Sequence, residues 1–377
     1  MTKITFLMLH LNYGGLEKQT ITLINELAKK NKYDISIVSV YDLLNGKSFY
    51  EIDKSVKLRF LYKSGPNHKK IYELKKDKKY IKLLKEYYIG IKGLYYKNNK
   101  LKNVIKSLDT DVIISTRIEF SKMIKRRDTI NISCEHSYID NDKYIDKIRK
   151  CFKNINYIVV LTNKAKEKYE SWLKGYNNYS NVIMIPNIVE IDNGLTSNLN
   201  SNEIISIGRL EEEKDFTSLI EVMKIIDEKD SSIKLKIIGD GRQKEKLINL
   251  VKDLKIENKV KFLGLKEFQE IKQELLNSNL FVLTSKCESF SLVIIEAMNY
   301  GVPCISFDID VGPKEIIKND YNGYLIENRD KLAMANKIIE VINNKDRLKE
   351  LSLGALETSK LYKSDVILPK WEEILGD

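Results

Sequence analysis

The sequence LFVLTSKCESFSLVIIEAMNYGVPCISF, residues 280–307, has the clearest alternation of strand and helix patterns in the chain. Its short apolar runs Leu280–Leu283 and Pro303–Phe307 predict buried strands, and the apolar spacing after Leu292 predicts a helix between them. A strand, a helix and another strand in this order are typical of parallel sheets flanked by helices. The stretch therefore predicts an α/β fold.

The same alternation continues through the rest of the chain. Other apolar runs of strand length are Lys3–Leu9, Asp34–Val40, Val112–Ser115, Ile130–Ser133, Tyr157–Leu161, Glu203–Ile207, Lys234–Ile238 and Lys259–Leu263. Helical patterns occupy Leu16–Lys30 and follow Asp215, Gln243, Phe268 and Lys314. We therefore predict two doubly wound, Rossmann-like domains that face each other across a cleft.

A polar stretch separates the two halves. After Ile185-Pro186-Asn187, the sequence VEIDNGLTSNLNSN is poor in apolar residues, which is typical of a linker. A length of 377 residues suits two domains. We predict a first domain at 1–187 and a second at 188–359, with ligands bound between the carboxyl ends of the two sheets.

Composition argues against several classes of protein. The chain is 43% hydrophobic and 31% charged, and it has no apolar run long enough to span a membrane. Its four cysteines form no C-x-x-C pair and it has three histidines, which argues against a zinc site and a disulfide scaffold. The first residues lack the apolar run and cleavage site of a signal peptide, so we expect a cytoplasmic protein.

The charge excess is concentrated in one segment. Between Tyr62 and Lys106, 14 lysines and seven tyrosines stand against Glu73, Asp77 and Glu86, and 14 − 3 gives +11, the net charge of the whole chain. Lysine and tyrosine both carry a polar tip on an apolar body, which suits a boundary between water and lipid. Each lysine near an anionic leaflet contributes about 1 kcal/mol to membrane binding.

Three interpretations of this lysine–tyrosine segment are open. The one we adopt is docking on the anionic inner face of the cell membrane, as a peripheral protein, through Lys75, Lys76, Lys78, Lys79, Lys82, Lys85, Tyr87, Tyr88, Tyr95 and Tyr96. The second is a pair of solvated basic helices. The third is a nucleic-acid groove, which we disfavour because the segment has no arginine to fork onto phosphates or bases.

Two groups of residues at predicted strand ends suit a diphosphate. Gly14-Gly15 lies where the first strand turns into the first helix, and such a turn lets backbone amides approach a phosphate. Arg209 and Lys214 follow the first strand of the second half, and two cations there can neutralise a diphosphate without a metal. A plain tight turn and solvated surface charges are the structural alternatives.

Glu288 and Glu296 are separated by seven residues in the stretch quoted above. If the helix begins near Ser289, Glu296 lies two turns inside it, on the same face as Ser289 and Leu292. The amides of Phe290–Leu292 would then form an anion cradle with one carboxylate on each side. A carboxylate can accept two hydrogen bonds from a vicinal diol, as found in ribose and in hexoses.

Together, these motifs resemble the retaining glycosyltransferases of family 4, which have the two-domain GT-B architecture. The resemblance spans nearly the whole chain and rests on an ordered set: GGLEK at Gly14–Lys18, EHS at Glu135–Ser137, VVLT at Val159–Thr162, IPN at Ile185–Asn187, SIGRLEEEKDF at Ser206–Phe216, IIGDG at Ile237–Gly241, FLG at Phe262–Gly264, the segment Glu288–Glu296, GPKEII at Gly312–Ile317 and NGYL at Asn322–Leu325. The form of the GPKEII loop is closer to members that extend bacterial surface glycans.

The resemblance implies a nucleotide-diphosphate sugar as donor, no metal cofactor, and a C-terminal helix within 360–377 that packs back onto the acceptor-binding first domain. The implied roles are Arg209, Lys214 and the amides of Gly15 and Leu292 for the donor diphosphate, Glu296 for the ribose, Ser289, Phe290 and Ser291 with Glu288 for the donor sugar, and His136 and Glu288 for catalysis.

Some of these residues keep competing interpretations. His136 is a group that stabilises the transition state, a core histidine or a general base. The D-x-D pairs Asp140–Asp142 and Asp308–Asp310 resemble metal sites, but Arg209 and Lys214 make a metal unnecessary. We expect His10 to be a packing residue rather than a contact of the acceptor, and Cys287 to be a packing residue rather than a nucleophile.

We therefore predict a retaining, metal-independent glycosyltransferase. It transfers a hexose or N-acetylhexosamine from a nucleotide sugar, for which we favour UDP over GDP, to a lipid-linked or polymeric surface-glycan acceptor. Its partners are the donor, the acceptor and an anionic membrane surface, with no nucleic acid. Two alternatives are a GT-B nucleotide-sugar epimerase, which needs no acceptor, and a non-catalytic protein that binds lipid or nucleic acid through the basic segment.

Overall fold

The structure is a computed structural model that describes residues 1–63, 80, 82, 96–136, 139–190 and 194–376. The chain forms two compact units. Unit 1 comprises Met1–Leu161, Lys166–Ile185 and Leu368–Asp377, and unit 2 comprises Thr162–Ala165 and Pro186–Ile367. Each unit is built on a parallel sheet with flanking helices, so the predicted α/β class is confirmed.

The sheet of unit 1 has the strand order β3-β2-β1-β4-β5-β6-β7 within the described residues. Its strands are β1 Thr2–Met8, β2 Tyr33–Tyr41, β3 Lys57–Tyr62, β4 Val112–Ser115, β5 Ile130–Glu135, β6 Tyr157–Val160 and β7 Asn181–Met184. The helices are α1 Gly15–Ala28, α2 Ile118–Ser121, α3 Asp142–Cys151 and α4 Asn163–Leu173, and residues 96–106 are also helical. The order reverses at β1, where the chain moves from one side of the sheet to the other.

The sheet of unit 2 has the order β10-β9-β8-β11-β12-β13. Its strands are β8 Glu203–Ile207, β9 Lys234–Ile238, β10 Val260–Gly264, β11 Leu280–Leu283, β12 Cys304–Phe307 and β13 Gly323–Ile326. The helices that follow are α5 Phe216–Lys229, α6 Lys244–Asp253, α7 Phe268–Leu276, α8 Leu292–Asn299, α9 Pro313–Ile316, α10 Lys331–Asn343, α11 Lys345–Lys360 and α12 Ser364–Leu375. Here the order reverses between β8 and β11.

The central strands are apolar at consecutive positions because helices cover both faces of each sheet. Every residue of β4, β11 and β12 is buried. Side-chain caps fix where several helices begin: the carboxylate of Asp215 accepts from the amide of Ser218 at the start of α5, and the carboxylate of Asp330 accepts from the amide of Ala333 at the start of α10. Such caps satisfy helix amides that would otherwise lack partners.

Three features differ from the sequence-based prediction. Strands β3, β7 and β13 were not predicted, and neither were helices α2, α3, α4, α10 and α11. The helix predicted after Leu292 begins at that residue and not near Ser289, the start assumed for placing Glu296, because Ser291 has a left-handed backbone with φ of 68°. Glu296 therefore lies one turn inside α8, and Ser289 is in the preceding loop and not on the helix face.

The last helix, α12, runs through both units. Its residues from Leu368 onward belong to unit 1, where Trp371 and Ile374 are buried. Across the described ranges, no helix has the length and apolarity needed to cross a bilayer.

Candidate active site

The turns that follow β8 and β9 pack closely at the carboxyl edge of the second sheet. A Cβ atom on Gly239 would lie 1.9 Å from the carbonyl oxygen of Gly208, and one on Gly241 would lie 2.5 Å from that of Leu210. Gly239 also has φ of 145°, which residues with a side chain rarely adopt. These glycines let the two turns meet at the edge where parallel α/β sheets bind ligands.

Lys214 and Glu288 form an ion pair at this edge. The Nζ of Lys214 donates to Oε1 of Glu288 at 2.6 Å, and the hydroxyl of Ser285 donates to the same oxygen at 2.6 Å. The side chains of Lys214 and Glu288 are only 20% and 9% exposed, so water screens the pair weakly. The structure thus brings together two residues that the sequence assigns to the diphosphate and to the donor sugar.

The loop before α8 is packed against Gly312. A Cβ atom on Gly312, whose φ is 94°, would lie 3.0 Å from Cβ of Glu288 and 3.1 Å from Oγ of Ser291. The Ser291 hydroxyl is buried and has no hydrogen-bond partner among the described residues. The ring of Phe290 packs edge-on against Tyr362 with centroids 5.6 Å apart, so the contribution of Phe290 to a ligand is limited to its backbone.

Arg209 and Glu296 take different positions from the ion pair of Lys214 and Glu288. Arg209 is largely exposed and donates to Oε1 of Glu213 at 2.9 Å, one helical turn further along the chain. Leu292 is the first residue of α8 and Glu296 follows it by one turn. The sequence groups Arg209 with Lys214, but in this structure each cation is paired with a different carboxylate.

Arg329 was not singled out by sequence reasoning, and it ties three loops of the site together. Its guanidinium pairs with Oδ2 of Asp215 at 2.5 Å, donates to the carbonyl oxygens of Thr284 and Ser285 at 2.8 and 2.9 Å, and lies 4.5 Å from the ring centre of Phe307. Asp215 is next to Lys214, and Ser285 donates to Glu288. Arg329 therefore fixes the two segments that carry the ion pair.

In unit 1, Gly15 is the first residue of α1, and a Cβ atom there would meet no atom of the described residues within 4 Å. Glu17, in the first turn, is buried, and its carboxylate lies 3.5 Å from Nδ1 of His10 and 3.9 Å from Arg117. His10 thus faces a buried carboxylate and is not the plain packing residue that the sequence predicts.

Glu135 and His136 end strand β5 with opposite pKa shifts. Burial raises the pKa of Glu135 to about 7, although the hydroxyls of Ser133 and Tyr144 donate to its carboxylate at 2.8 and 3.1 Å and oppose that rise. Burial also lowers the pKa of His136 to about 4. His136 is therefore neutral at neutral pH, where it can donate or accept a hydrogen bond but carries no charge.

These shifts predict how stability depends on pH. Glu135 has a raised folded-state pKa, so its contribution to stability falls as pH rises from about 4.5 to 7, whereas that of His136 rises from about 4 to 6.5. We expect Glu135→Gln to remove the fall in stability that Glu135 causes as pH rises from about 4.5 to 7. The free energy of unfolding of the variant, minus that of the unaltered chain, should rise by on the order of 3 kcal/mol between pH 4 and pH 8. Urea unfolding at a series of pH values measures this, and a difference that is constant with pH would contradict it.

The match to a known family lies in the second unit. Residues 187–356 match the family model described as glycosyl transferases group 1. A relative described as an uncharacterized glycosyltransferase of Haemophilus influenzae is 28% identical over 393 residues, which cover 100% of both chains. Residues 187–356 therefore form a group 1 glycosyltransferase domain.

Other comparisons agree on the fold and extend the list of relatives of this glycosyltransferase. An α-1,4-N-acetyl-D-galactosaminyltransferase of Campylobacter jejuni, named for a PP-undecaprenol-linked glycan, is 27% identical over 398 residues and covers 100% of this chain and 99% of its own. The crystal structure of a TarM variant of S. aureus with fondaparinux, α-GlcNAc-glycerol and UDP covers 100% of both chains with a TM-score of 0.76 and 20% identity. The predicted GT-B fold is therefore confirmed.

The remaining predicted residues of the glycosyltransferase have mixed outcomes. Lys75, Lys76, Lys78, Lys79, Lys85, Tyr87, Tyr88 and Tyr95 lie outside the described residues, while Lys82 and Tyr96 are exposed. Cys287 is exposed, so its predicted packing role is wrong. The D-x-D residues Asp308 and Asp140 pair with Lys314 and Lys168. In the part of the chain that the structure describes, no cluster of three or more His, Cys, Asp or Glu residues could hold a metal ion.

Proposed function

We propose that this glycosyltransferase transfers a hexose or N-acetylhexosamine from a UDP-linked sugar to a lipid-linked or polymeric bacterial surface glycan, with retention and without a metal. The observation that carries the proposal is the preassembled pair of Lys214 and Glu288, which is nearly desolvated and lies in the loops before α5 and α8. The names of the Campylobacter relative and of the TarM complex support the classes of acceptor and donor.

The mechanism follows from where charge develops. When the bond between the sugar and the diphosphate breaks, negative charge builds on the diphosphate, and the Lys214 ammonium is fixed to stabilise it. Glu288 accepts hydroxyls of the donor sugar and balances the positive charge that develops on the ring. We propose same-face substitution, in which an oxygen of the leaving diphosphate takes the proton of the acceptor hydroxyl. Neutral His136 then stabilises the transition state through a hydrogen bond and not through a charge.

The nucleotide can be tested by thermal shift. We expect UDP to stabilise the protein, and at a hundredfold excess over its dissociation constant the gain is about 2.7 kcal/mol. GDP and ADP at the same concentration should give smaller gains, and EDTA should leave the UDP effect unchanged. A UDP effect that EDTA abolishes would overturn the metal-free donor site, and no effect from any nucleotide would overturn the proposed function.

Product analysis separates the transferase from the epimerase alternative. A transferase releases UDP in proportion to the acceptor that is glycosylated, whereas an epimerase changes the sugar without an acceptor. Chromatography of UDP-sugars incubated with the protein alone distinguishes the two outcomes.

We further propose that the lysine–tyrosine segment docks the enzyme on the anionic inner face of the membrane. The enzyme should sediment with vesicles of phosphatidylglycerol and phosphatidylcholine at low salt and be released as salt screens the lysine charges. Vesicles of phosphatidylcholine alone are the control. Equal sedimentation with both kinds of vesicle, or none with either, would overturn membrane docking and leave the transferase proposal intact.

A further inference from the structure

Three aromatic rings form a cluster at the carboxyl edge of the first sheet. Tyr13 follows β1, while Phe49 and Tyr50 lie in the loop after β2, the strand that pairs with β1. The ring centres of Tyr13 and Phe49 are 5.4 Å apart at 79°, and those of Phe49 and Tyr50 are 5.1 Å apart at 77°. These edge-to-face contacts make the three side chains one packed unit, the aromatic platform.

The platform is anchored to the turn that enters α1. The amide of Phe49 donates to the carbonyl oxygen of Leu11 at 2.8 Å. The hydroxyl of Tyr50 donates to the carbonyl oxygen of Gly14 at 3.2 Å and accepts from its amide at 3.3 Å. The two loops therefore hold the rings beside the glycine turn, and little rotational freedom is left to be lost when a ligand binds.

The platform nevertheless faces solvent. Tyr13 is 69% exposed and Phe49 is 56% exposed, although side chains of this size normally contribute far more stability when they are buried. Adjacent exposed aromatic side chains held in a fixed arrangement are typical of a binding surface.

A charged group lies beside the same turn. A Cβ atom on Gly14 would lie 2.1 Å from Oε2 of Glu17. The buried carboxylate of Glu17 also contacts His10 and Arg117. The backbone of Gly14 thus bonds the Tyr50 hydroxyl, and the Glu17 carboxylate beside it contacts His10 and Arg117. The turn therefore joins an apolar ring surface to hydrogen-bonding groups of both kinds.

We propose that this site binds a pyranose ring of the acceptor glycan. A pyranose has an apolar face of C–H bonds, which can lie on Tyr13 and Phe49, and a rim of hydroxyls, which suits Glu17, His10 and Arg117. An isoprenoid chain could use the rings but has no hydroxyls to offer to the polar groups beside them. The inference rests on the proposed transferase function and names the sugar end of the acceptor, not its lipid or phosphate, as the part recognised in unit 1.

Saturation-transfer NMR on the full chain tests the platform. The probes are the methyl α- and β-glycosides of glucose, galactose, N-acetylglucosamine and N-acetylgalactosamine, with UDP present to occupy the nucleotide site. We expect at least one glycoside to receive saturation, strongest at the C–H protons of one ring face. In the double variant Tyr13→Ala/Phe49→Ala, that signal should fall at least fivefold.

Two controls keep the result interpretable. Tyr176 is 66% exposed and lies in the loop that leads into β7, at the opposite edge of the first sheet, so Tyr176→Ala should leave the signal unchanged. The thermal shift caused by UDP reports whether the double variant is folded and whether the donor site exists. If UDP stabilises both proteins but no glycoside signal depends on the rings, the platform is wrong and the transferase proposal stands.

Other outcomes also decide the matter. If UDP does not stabilise the unaltered chain, the proposed function fails first. If farnesyl phosphate loses binding in the double variant while the glycosides do not, the surface recognises an isoprenoid chain and the sugar assignment is overturned.

Discussion

Lys214→Ala is expected to lower kcat/KM for sugar transfer by about 10²–10³, the usual effect of removing one fixed group that stabilises developing charge. The Lys214 ammonium is held by Glu288 at 2.6 Å before any ligand binds, so little reorganisation is needed when the diphosphate becomes more negative. Steady-state release of UDP from the UDP-sugar in the presence of acceptor measures the effect.

Lys286 provides a matched control for this change. It is an exposed lysine between Ser285 and Glu288, and its Nζ pairs with Glu212 at 3.6 Å and not with the site carboxylate. Lys286→Ala should change kcat/KM by less than about twofold, because exposed ion pairs contribute little. Equal losses in the two lysine variants would indicate a general effect of positive charge near the site and would contradict a specific role for Lys214.

A double-mutant cycle with Glu288 tests whether the two residues act as one unit. If they do, the loss in Lys214→Ala/Glu288→Ala should be much smaller than the product of the two single losses. Additive losses would mean that Lys214 acts on the diphosphate and Glu288 on the sugar without coupling. Thermal melting of each variant shows whether the buried partner left behind has destabilised the fold.

The sequence predicted the central strands better than the edge strands. Central strands β4, β8, β11 and β12 have neighbours on both sides and are mostly apolar, which is a strong local signal. Among the described strands, the missed β3, β7 and β13 are all at sheet edges, where a strand pairs on one side only and charged or short sequences are tolerated. The sequence KLRFLY of β3, with three exposed residues at its start, illustrates why an apolar pattern does not reveal such a strand.

The candidate site could be predicted by residue type but not by contact. Lys214 and Glu288 were named because each follows a strand, whereas their ion pair joins positions 74 residues apart and depends on how two loops fold. The start near Ser289 that was assumed for placing Glu296 is wrong, because the left-handed Ser291 leaves no mark in the sequence pattern. Arg329 was missed because nothing in the local sequence links a charged residue after β13 to the loop after β11.

Arg329 gives the second large expected effect, on stability and on donor binding together. Its guanidinium donates hydrogen bonds to Asp215, Ser285 and Thr284 at the same time. Arg329→Ala therefore leaves the carboxylate of Asp215, which is only 11% exposed, without its cation. A fully buried pair broken in this way costs about 3–5 kcal/mol. Since a third of the Arg329 side chain is exposed, we expect a loss of about 2–3 kcal/mol.

The backbone of Arg329 allows its side chain to be tested separately. Its φ is 53°, a left-handed conformation that costs residues with a side chain roughly 1–2 kcal/mol and costs glycine little. Arg329→Gly and Arg329→Ala both remove the guanidinium, but glycine also relieves the backbone, so the glycine variant should be about 1 kcal/mol more stable than the alanine variant. Urea unfolding of the three proteins measures both contributions.

Enzyme kinetics then separate positioning from general stability. Both variants should raise KM for the UDP-sugar about tenfold, because the loops that carry Lys214 and Glu288 lose their common anchor, although the glycine variant regains part of its stability. Arg329→Lys keeps a cation for Asp215 but cannot donate to two carbonyls at once in the geometry of a guanidinium, so it should recover stability more fully than KM. If KM instead followed stability across all three variants, Arg329 would have only a structural role, because an anchor for the two loops must affect donor binding even when the fold is restored.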